Sequence, residues 1–446
     1  MGKDKGLSPQ TDGAERLNPP PAVLEIAQTL IRAGHESWFV GGAVRDALLG
    51  HSNLDWDIAT SATPPQVQRL FRRTVPVGID FGTVGVLDSA GVMHEVTTFR
   101  RDVQTDGRHA VVEFGASLDE DLARRDFTIN AIAYRPETRE LHDPFDGRTD
   151  LAKRLVRAVG VADDRMREDR LRALRAMRFA ARFGFAIEQD TWSAILESAP
   201  HLGRLSMERV QQEIEKTMAQ VEKPGDAFRL WRDSGAFASL APPLAPLTDV
   251  ALATLDRLPR ATSAEESIRT ANRLTALVLD LPAEEARDLL RDLRFSNERV
   301  RWIGDLVERW HALGEPIREA LSGENWTDAT VRRWVAEIGR TRVDAFFTVL
   351  DARFRAGDAK TWGSVVEDGI QGLWDRAALV ALQDPVETGD LAVNGGDLMK
   401  VGFQSGPQLG AALRALLEWV LDDPARNTHD QLLARAREMV GVPPHD

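Results

Sequence analysis

The chain has 446 residues, 43% hydrophobic and 28% charged, with 69 acidic against 56 basic residues and no cysteine. That length exceeds one compact core, so two to four domains of ordinary globular composition are expected. The missing thiols exclude disulfides, thiolate zinc sites and a cysteine nucleophile, and the excess of acid argues against a surface coated throughout with nucleic acid.

The first 22 residues are polar and proline-rich and are expected to be disordered, without the apolar stretch of a secretory signal. No run of about 18 apolar residues follows, so a soluble, cytoplasmic protein with no membrane partner is expected. Between residues 23 and 157 the runs SWFVGGAV, LDWDIAT, GTVGVLD, MHEVTTF, AVVEF and NAIAY alternate with helical stretches such as PPQVQRLFRR and DEDLARRDFTINAIA. This pattern predicts an α/β (α+β) head with a small mixed β-sheet. From residue 158 the strand signals nearly vanish, and amphipathic helices broken by EKPGDAF, LAPPLAPLTD, DLPAEEA and VNGGD predict an all-α remainder. Seven tryptophans there (Trp302, Trp310, Trp326, Trp334, Trp362, Trp374, Trp419) read first as helix-packing residues and second as RNA-stacking ones.

Within the head, "FVGGAVRDALLG" (Phe39 to Gly50) reads as strand, glycine turn and helix. Bare backbone at Gly41 and Gly42 lets a phosphate approach, and Arg45 would add a charge-assisted contact; a tight turn that merely needs glycine is the alternative. In "NLDWDIAT" (Asn53 to Thr60) strand alternation puts Asp55 and Asp57 on one face and Leu54, Trp56 and Ile58 on the other. Two carboxylates about 7 Å apart on a strand repel unless a proton, a cationic side chain or a divalent cation intervenes. All-oxygen ligands favour Mg²⁺. A third acid, Glu95, shares a strand face with Thr97 in "MHEVTTFR", where an exposed strand glutamate is the plain alternative. Further along, ten basic residues stand against four acidic ones between Lys153 and Arg182, a local reversal of the chain's charge that suggests one confined polyanion site or a solvated arginine-rich helix.

Phe39-Val-Gly-Gly-Ala-Val-Arg-Asp46, Asp55-Trp-Asp-Ile-Ala-Thr60, Glu95-Val-Thr-Thr-Phe-Arg100, Arg124-Arg-Asp-Phe-Thr-Ile-Asn-Ala131 and Glu168-Asp-Arg-Leu-Arg172 match in order and spacing the motifs of class II tRNA nucleotidyltransferases. That family comprises the bacterial and eukaryotic CCA-adding enzymes and their poly(A) polymerase relatives. The resemblance runs from about residue 23 through "LRDLRFSNERV" and "DLAVNGGDLMKVGFQSGPQLG". It implies a nucleotidyltransferase head (23–157), a helical neck for base selection (158–222), a body (223–310) and a tRNA-binding tail (311–446). It further implies that Asp55 and Asp57 bind Mg²⁺, with Glu95 as a further catalytic carboxylate. Gly41, Gly42, Arg45 and Arg125 would hold the nucleotide, and CTP, ATP and tRNA would be the substrates.

The segment "ADDRMREDRLRALRAMRFAARFGF" reads as one helix capped near Asp163, with Asp169, Arg172, Ala173, Ala176 and Ala180 on one side. There the Asp169 carboxylate would accept from the exocyclic amino group of C or A, and Arg172 would donate to the adjacent ring nitrogen. The resemblance adds Arg175 and Arg178 as nucleotide or RNA contacts. Asp106-Gly-Arg-His109 resembles the loop kept by enzymes that add the full CCA, whereas "VPVGIDFGTVGV" lacks the basic run of the poly(A) polymerases. CC-only or A-only addition, poly(A) synthesis and a catalytically silent RNA-binding module remain the alternatives.

Overall fold

Four consecutive buried side chains, Ser37 to Val40, make the strand β1, and burial on both faces places it inside a sheet. Its antiparallel neighbours are β2 (Asp57–Thr60) and β8 (Ala133–Arg135). The full sheet has seven strands, in the spatial order Thr74–Gly78 (β3), Thr83–Leu87 (β4), Met93–Thr98 (β5), β2, β1, β8 and Glu140–His142 (β9). Its one parallel pair is β2–β5. This is the computed structural model of the chain, and it describes residues 17–52, 55–105, 110–259, 266–323, 326–357 and 359–440. Most of the expected 1–22 extension and all of Asp106–His109 lie outside those residues. Two units divide the chain: Met1–Thr217 with Ala227–Ala245, and Met218–Asp226 with Pro246–Asp446.

In the first unit, helix α1 (Pro21–Arg32) buries Val23, Ile26, Ala27 and Leu30, the i, i+3, i+4, i+7 stripe of an amphipathic helix. α2 (Gly42–Leu48) follows β1 directly, and α3 (Pro64–Leu70) starts at a Thr63/Gln66 capping box. Beyond β5, β6 (Arg100–Thr105) and β7 (Ala110–Phe114) pair as a separate hairpin. On one face of the sheet Trp38, Val40, Ala59, Phe99, Leu118, Leu122 and Ala133 form a core cluster. On the other, Phe39 meets the Trp56 ring edge-on at 5.3 Å, so Trp56 anchors the chain between the two aspartates.

Two expected elements are corrected. The helix read through DEDLARRDFTINAIA is only α4 (Leu118–Ala123). Asp126 accepts the N–H of Phe127 at 2.9 Å, Phe127 is extended, and Thr128–Asn130 makes one 3₁₀ turn before β8. The long helix read from Ala162 onward is two, α6 (Ala162–Glu168) and α7 (Leu171–Phe183), separated by α5 (Gly147–Lys153) and β10 (Leu155–Val156) from the sheet. The break falls at Asp169, which is extended (φ −147°, ψ 102°) and takes the N–H of Leu171 on its own Oδ1 at 3.1 Å. A short acidic side chain that competes for backbone donors ends one helix and starts the next. Val161, not Asp163, occupies the N-cap of α6. β11 (Ala186–Ile187) pairs with β10, and α8 (Gln189–Ser198) and α9 (Met207–Gln220) continue the helical part.

In the second unit every regular element among the described residues is helical. Its fully buried Arg273 donates to the carbonyls of Met218, Val221, Glu222 and Leu258, which satisfies backbone groups that Met218–Asp226 would otherwise bury unpaired. Trp302, Trp310, Trp326, Trp334 and Trp374 pack in one core cluster and Trp419 in another, while the side chain of Trp362 is outside the description. The helix Asn297–Gly323 runs unbroken through position 310, so a body–tail junction there would fall inside a helix.

Candidate active site

The end of β1 and the start of β2 meet at Val40 and Asp57, which are paired in register. Directly after Val40 the chain turns at Gly41 with φ 74° and ψ −133°, a conformation open essentially to glycine. A Cβ at Gly41 would lie 2.9 Å from Nη1 of Arg125 and 4.0 Å from Oδ2 of Asp57. The glycine turn, Arg125 and Asp57 therefore occupy one spot. Asp55 is exposed just ahead of β2, on the far side of buried Trp56. Because Ile58 pairs with Val96 across the parallel β2–β5 ladder, Glu95 stands beside Asp57, half-buried on the face it shares with Thr97.

Asp57 titrates abnormally. Burial, then the charges of Glu95 and Asp55, push its carboxyl up to about 6, against the opposing pull of Arg125. The raised value records a carboxyl buried beside like charges that Arg125 only partly offsets. Among the described residues no group of three or more His, Asp or Glu side chains forms a closed metal cage. An open pair of hard oxygen donors with a third carboxylate alongside nonetheless fits Mg²⁺, which keeps waters and takes one or two protein carboxylates plus substrate phosphates.

Arg125 is held in place by Asp121, whose Oδ2 accepts from Nη2 at 3.2 Å, while Arg124 binds Oδ1 at 2.8 Å. Burial opposes ionisation of Asp121, but the two guanidinium groups outweigh it and hold the carboxyl below its usual range. Nη1 of Arg125 faces the glycine turn, while its Nε is buried without a hydrogen-bond partner.

The remaining expected site residues are engaged with protein partners. Arg45, expected at a phosphate, is 3% exposed; it donates to Asp46 at 2.6 Å and to Asn130, and lies 5.0 and 4.8 Å from the rings of Phe179 and Phe183 on α7. Asn130 in turn donates to Asp126 at 2.8 Å, and Asp126 accepts from Arg175. Arg178 is closed on Glu213 at 2.7 Å, and Arg182 reaches Asp46 at 3.0 Å. This network couples the strand–turn–helix motif to α7. Asp169 and Arg172 do not pair with each other. Asp169 accepts from Arg209 at 2.7 Å, whereas Arg172 donates to Glu168 at 2.9 Å and to the Arg124 carbonyl at 2.9 Å. The expected alanine stripe is not open either, since α7 buries Leu171 to Leu174 and Ala176 to Ala180.

Residues 37–157 match the Poly A polymerase head domain, 184–247 the "Probable RNA and SrmB- binding site of polymerase A", and 379–436 the tRNA nucleotidyltransferase domain 2. The CCA-adding enzyme of Geobacillus kaustophilus is 36% identical over 94% of this chain and 97% of its own length. That of Latilactobacillus sakei is 36% identical over 93% and 97%. The chain belongs to the CCA-adding enzyme family. Among solved structures, the Bacillus stearothermophilus CCA-adding enzyme in complex with CTP superposes with a TM-score of 0.73, at 33% identity, over 95% of this chain and 98% of that one.

For this CCA-adding family member, reasoning from the sequence missed Asp46, Asp121, Asp126, Asn130, Arg209 and Glu213, the partners that fix the expected residues. Asp126 and Asn130 carried a signal: their i, i+4 spacing inside the Arg-Arg-Asp motif. Glu213, distant in sequence and set in an ordinary amphipathic helix, carried none.

Proposed function

We propose that the protein adds CCA to the 3′ end of tRNA, without a template, from CTP and ATP. The observation that carries this is the abnormal carboxylate Asp57, flanked by Asp55 and Glu95 and set against the Gly41 turn and Arg125, in a chain of this family. The RNA 3′-hydroxyl attacks the α-phosphorus in line and pyrophosphate leaves, so alignment and charge neutralisation supply most of the catalysis.

Asp55 and Asp57 are the residues suited to hold Mg²⁺, with Glu95 beside them. When bound, such an ion supplies positive charge against the phosphates and acidifies the attacking hydroxyl. Gly41 and Gly42 leave room for the triphosphate, and Arg125 donates to it through Nη1, the nitrogen that faces the Gly41 turn. Asp169 accepts from the amino group of C or A, and Arg172 donates to the neighbouring ring nitrogen once a base displaces its contact with half-buried Glu168. Arg45, Arg175 and Arg178 act through Asn130, Asp126 and Glu213, which they hold in position. We assign base selection to the helical neck at 158–222 and tRNA binding to the tail at 311–446, with the body at 223–310 between them. Such a substrate places the work in the cytoplasm; no helix among the described residues is long and apolar enough to cross a membrane.

The test is extension of a tRNA lacking its 3′ CCA with labelled CTP, ATP and Mg²⁺. Addition of C, C and A followed by arrest is expected; A alone, CC alone or an unlimited A tail would move the protein to the corresponding relative.

A further inference from the structure

The basic reversal between Lys153 and Arg182 is largely neutralised in the folded chain. Arg157 pairs with Asp150 at 3.1 Å, Arg165 with Glu168 at 2.6 Å, Arg175 with Asp126 at 2.6 Å, Arg178 with Glu213 at 2.7 Å and Arg182 with Asp46 at 3.0 Å. Apart from exposed Lys153 and Arg154 at the end of α5, what is left lies around Arg170. Arg170, in the break between α6 and α7, has no carboxylate partner among the described residues and donates from Nη1 to Oγ of Ser198, the buried last residue of α8, at 3.1 Å. The 3₁₀ turn Ala199–Arg204 begins at the next residue and ends on exposed Arg204, again without a carboxylate among the described residues. Exposed Arg167 completes the group, held only loosely by Asp164 at 3.5 Å.

Ser198 thus ties Arg170 to the start of the turn that carries Arg204, and Arg167 lies three residues before Arg170; guanidinium groups gathered without a shared carboxylate repel, and an anion among them relieves this. The repulsion is felt: burial, then the charges of Arg204 and Arg167, hold the Arg170 guanidinium below its ordinary value. Ser198 fixes the direction of the Arg170 fork, which gives the group a built geometry instead of three free side chains. Two independent circumstances bear on which anion. Ser198 and Arg204 fall within residues 184–247, the segment matched to a probable RNA-binding site of polymerase A. Arg170 also directly follows Asp169, the proposed base-reading carboxylate.

We infer that Arg170, Arg204 and Arg167, oriented by Ser198, form a cationic notch that takes a phosphodiester of the RNA substrate's backbone. The inference rests on the proposed tRNA reaction and adds to it a site separate from the Asp55/Asp57 carboxylates. Phosphate contacts of this kind hold the RNA in register and carry no sequence information.

Binding of a tRNA transcript lacking its 3′ CCA is to be measured between about 50 and 200 mM salt, where each phosphate contact contributes roughly 0.7 to 0.9 to the slope of log affinity against log salt. Against the wild-type full chain, Arg170→Gln/Arg204→Gln is expected to lower that slope by about 1.5 and to bind tRNA several-fold more weakly at low salt, with CTP affinity unchanged. Arg170→Lys/Arg204→Lys keeps the charges and should keep the slope. Arg291→Gln, an exposed arginine of the second unit, serves as the charge-matched control for Arg204→Gln alone and should change neither. An unchanged slope in the Gln variant, or a Lys variant that loses as much as Gln, overturns the inference; so does a parallel loss of CTP affinity, which would mean the notch binds the triphosphate. Should the double variant not fold, exposed Arg204→Gln alone must lower the slope by roughly half as much. A wild-type protein that binds tRNA with this slope yet adds no nucleotide would defeat the proposed function and leave the notch standing.

Discussion

Gly41 and Arg125 stand so close that a Cβ on the glycine would lie 2.9 Å from Nη1 of the arginine. The turn thus needs glycine twice over, for its positive φ of 74° and for the guanidinium it admits. Gly41→Ala should cost about 1–3 kcal/mol of stability from backbone strain alone. It should also raise KM for CTP and ATP, because Arg125 is displaced from the triphosphate. Gly42→Ala provides the contrast: its Cβ would meet only Arg45 Nη2 at 3.5 Å, an ordinary contact, so Tm and KM should move far less. Thermal melts and steady-state kinetics of the two variants check the difference, and equal effects would contradict the assigned geometry.

Asp57, at about 6, gives a signed pH dependence. Its carboxyl is raised above the ordinary value, so the folded state favours the proton between that value and 6. The native state consequently loses stability as pH rises through this window, with a full penalty above it on the order of 3 kcal/mol. A divalent cation binds the ionised form, so apparent Mg²⁺ affinity should climb as pH rises through about 6 and bring proton uptake by buffer with it. Asp57→Asn is expected to raise the Tm of the metal-free protein near pH 7.5, flatten the pH slope and abolish nucleotide incorporation. A variant that retained the pH slope would show that another group carries it.

Most of the head was legible because its chemistry is local. Glycine turn, Asp-x-Asp and the Arg-Arg-Asp run each sit within a few residues, and strand alternation correctly put Glu95 and Thr97 on one face. Two kinds of feature were not legible. Asp169 interrupts a run that is helical by every periodic criterion, and it does so through a single side-chain bond to Leu171 N that periodicity does not register. Arg45, Arg175 and Arg178 look like free cations in sequence, yet each is spent on a partner such as Asn130, Asp126 or Glu213 that only the tertiary fold brings near. Charge counting therefore overstated the positive surface of the neck.

Arg178 and Glu213 make a buried pair, 3% and 1% exposed, at 2.7 Å. Removing Arg178 leaves buried Glu213 with the longer contacts of Lys216 at 3.7 Å and Arg175 at 4.0 Å, so Arg178→Ala should destabilise by up to about 3 kcal/mol. Burial already works against the guanidinium, which Glu213 only partly offsets. Replacing both residues, as in Arg178→Met/Glu213→Leu, should recover most of the lost stability. Nucleotide affinity in the double variant then separates two roles: retained KM marks a positioning pair, while a large rise in KM with normal Tm would give Arg178 direct contact with substrate.

In the proposed reading, base choice rests on what Asp169 can still accept. Its Oδ1 takes the Leu171 N–H and its Oδ2 takes Arg209, but a carboxylate oxygen has two lone pairs, so each retains one acceptor site. The amino group of C or A can use such a site, whereas U and G present a carbonyl there and meet a like partner. Asp169→Ala removes the acceptor and should weaken discrimination against UTP by about 1–3 kcal/mol. Asp169→Asn sharpens the test, because the amide keeps an acceptor for Leu171 N and turns a donor toward the base, which suits the uracil carbonyl. UMP incorporation should therefore rise more in Asn than in Ala, and CMP incorporation should also fall more in Asn than in Ala. Gel analysis of single-nucleotide addition with each NTP measures both, and unchanged selectivity in the two variants would remove Asp169 from the recognition of the base.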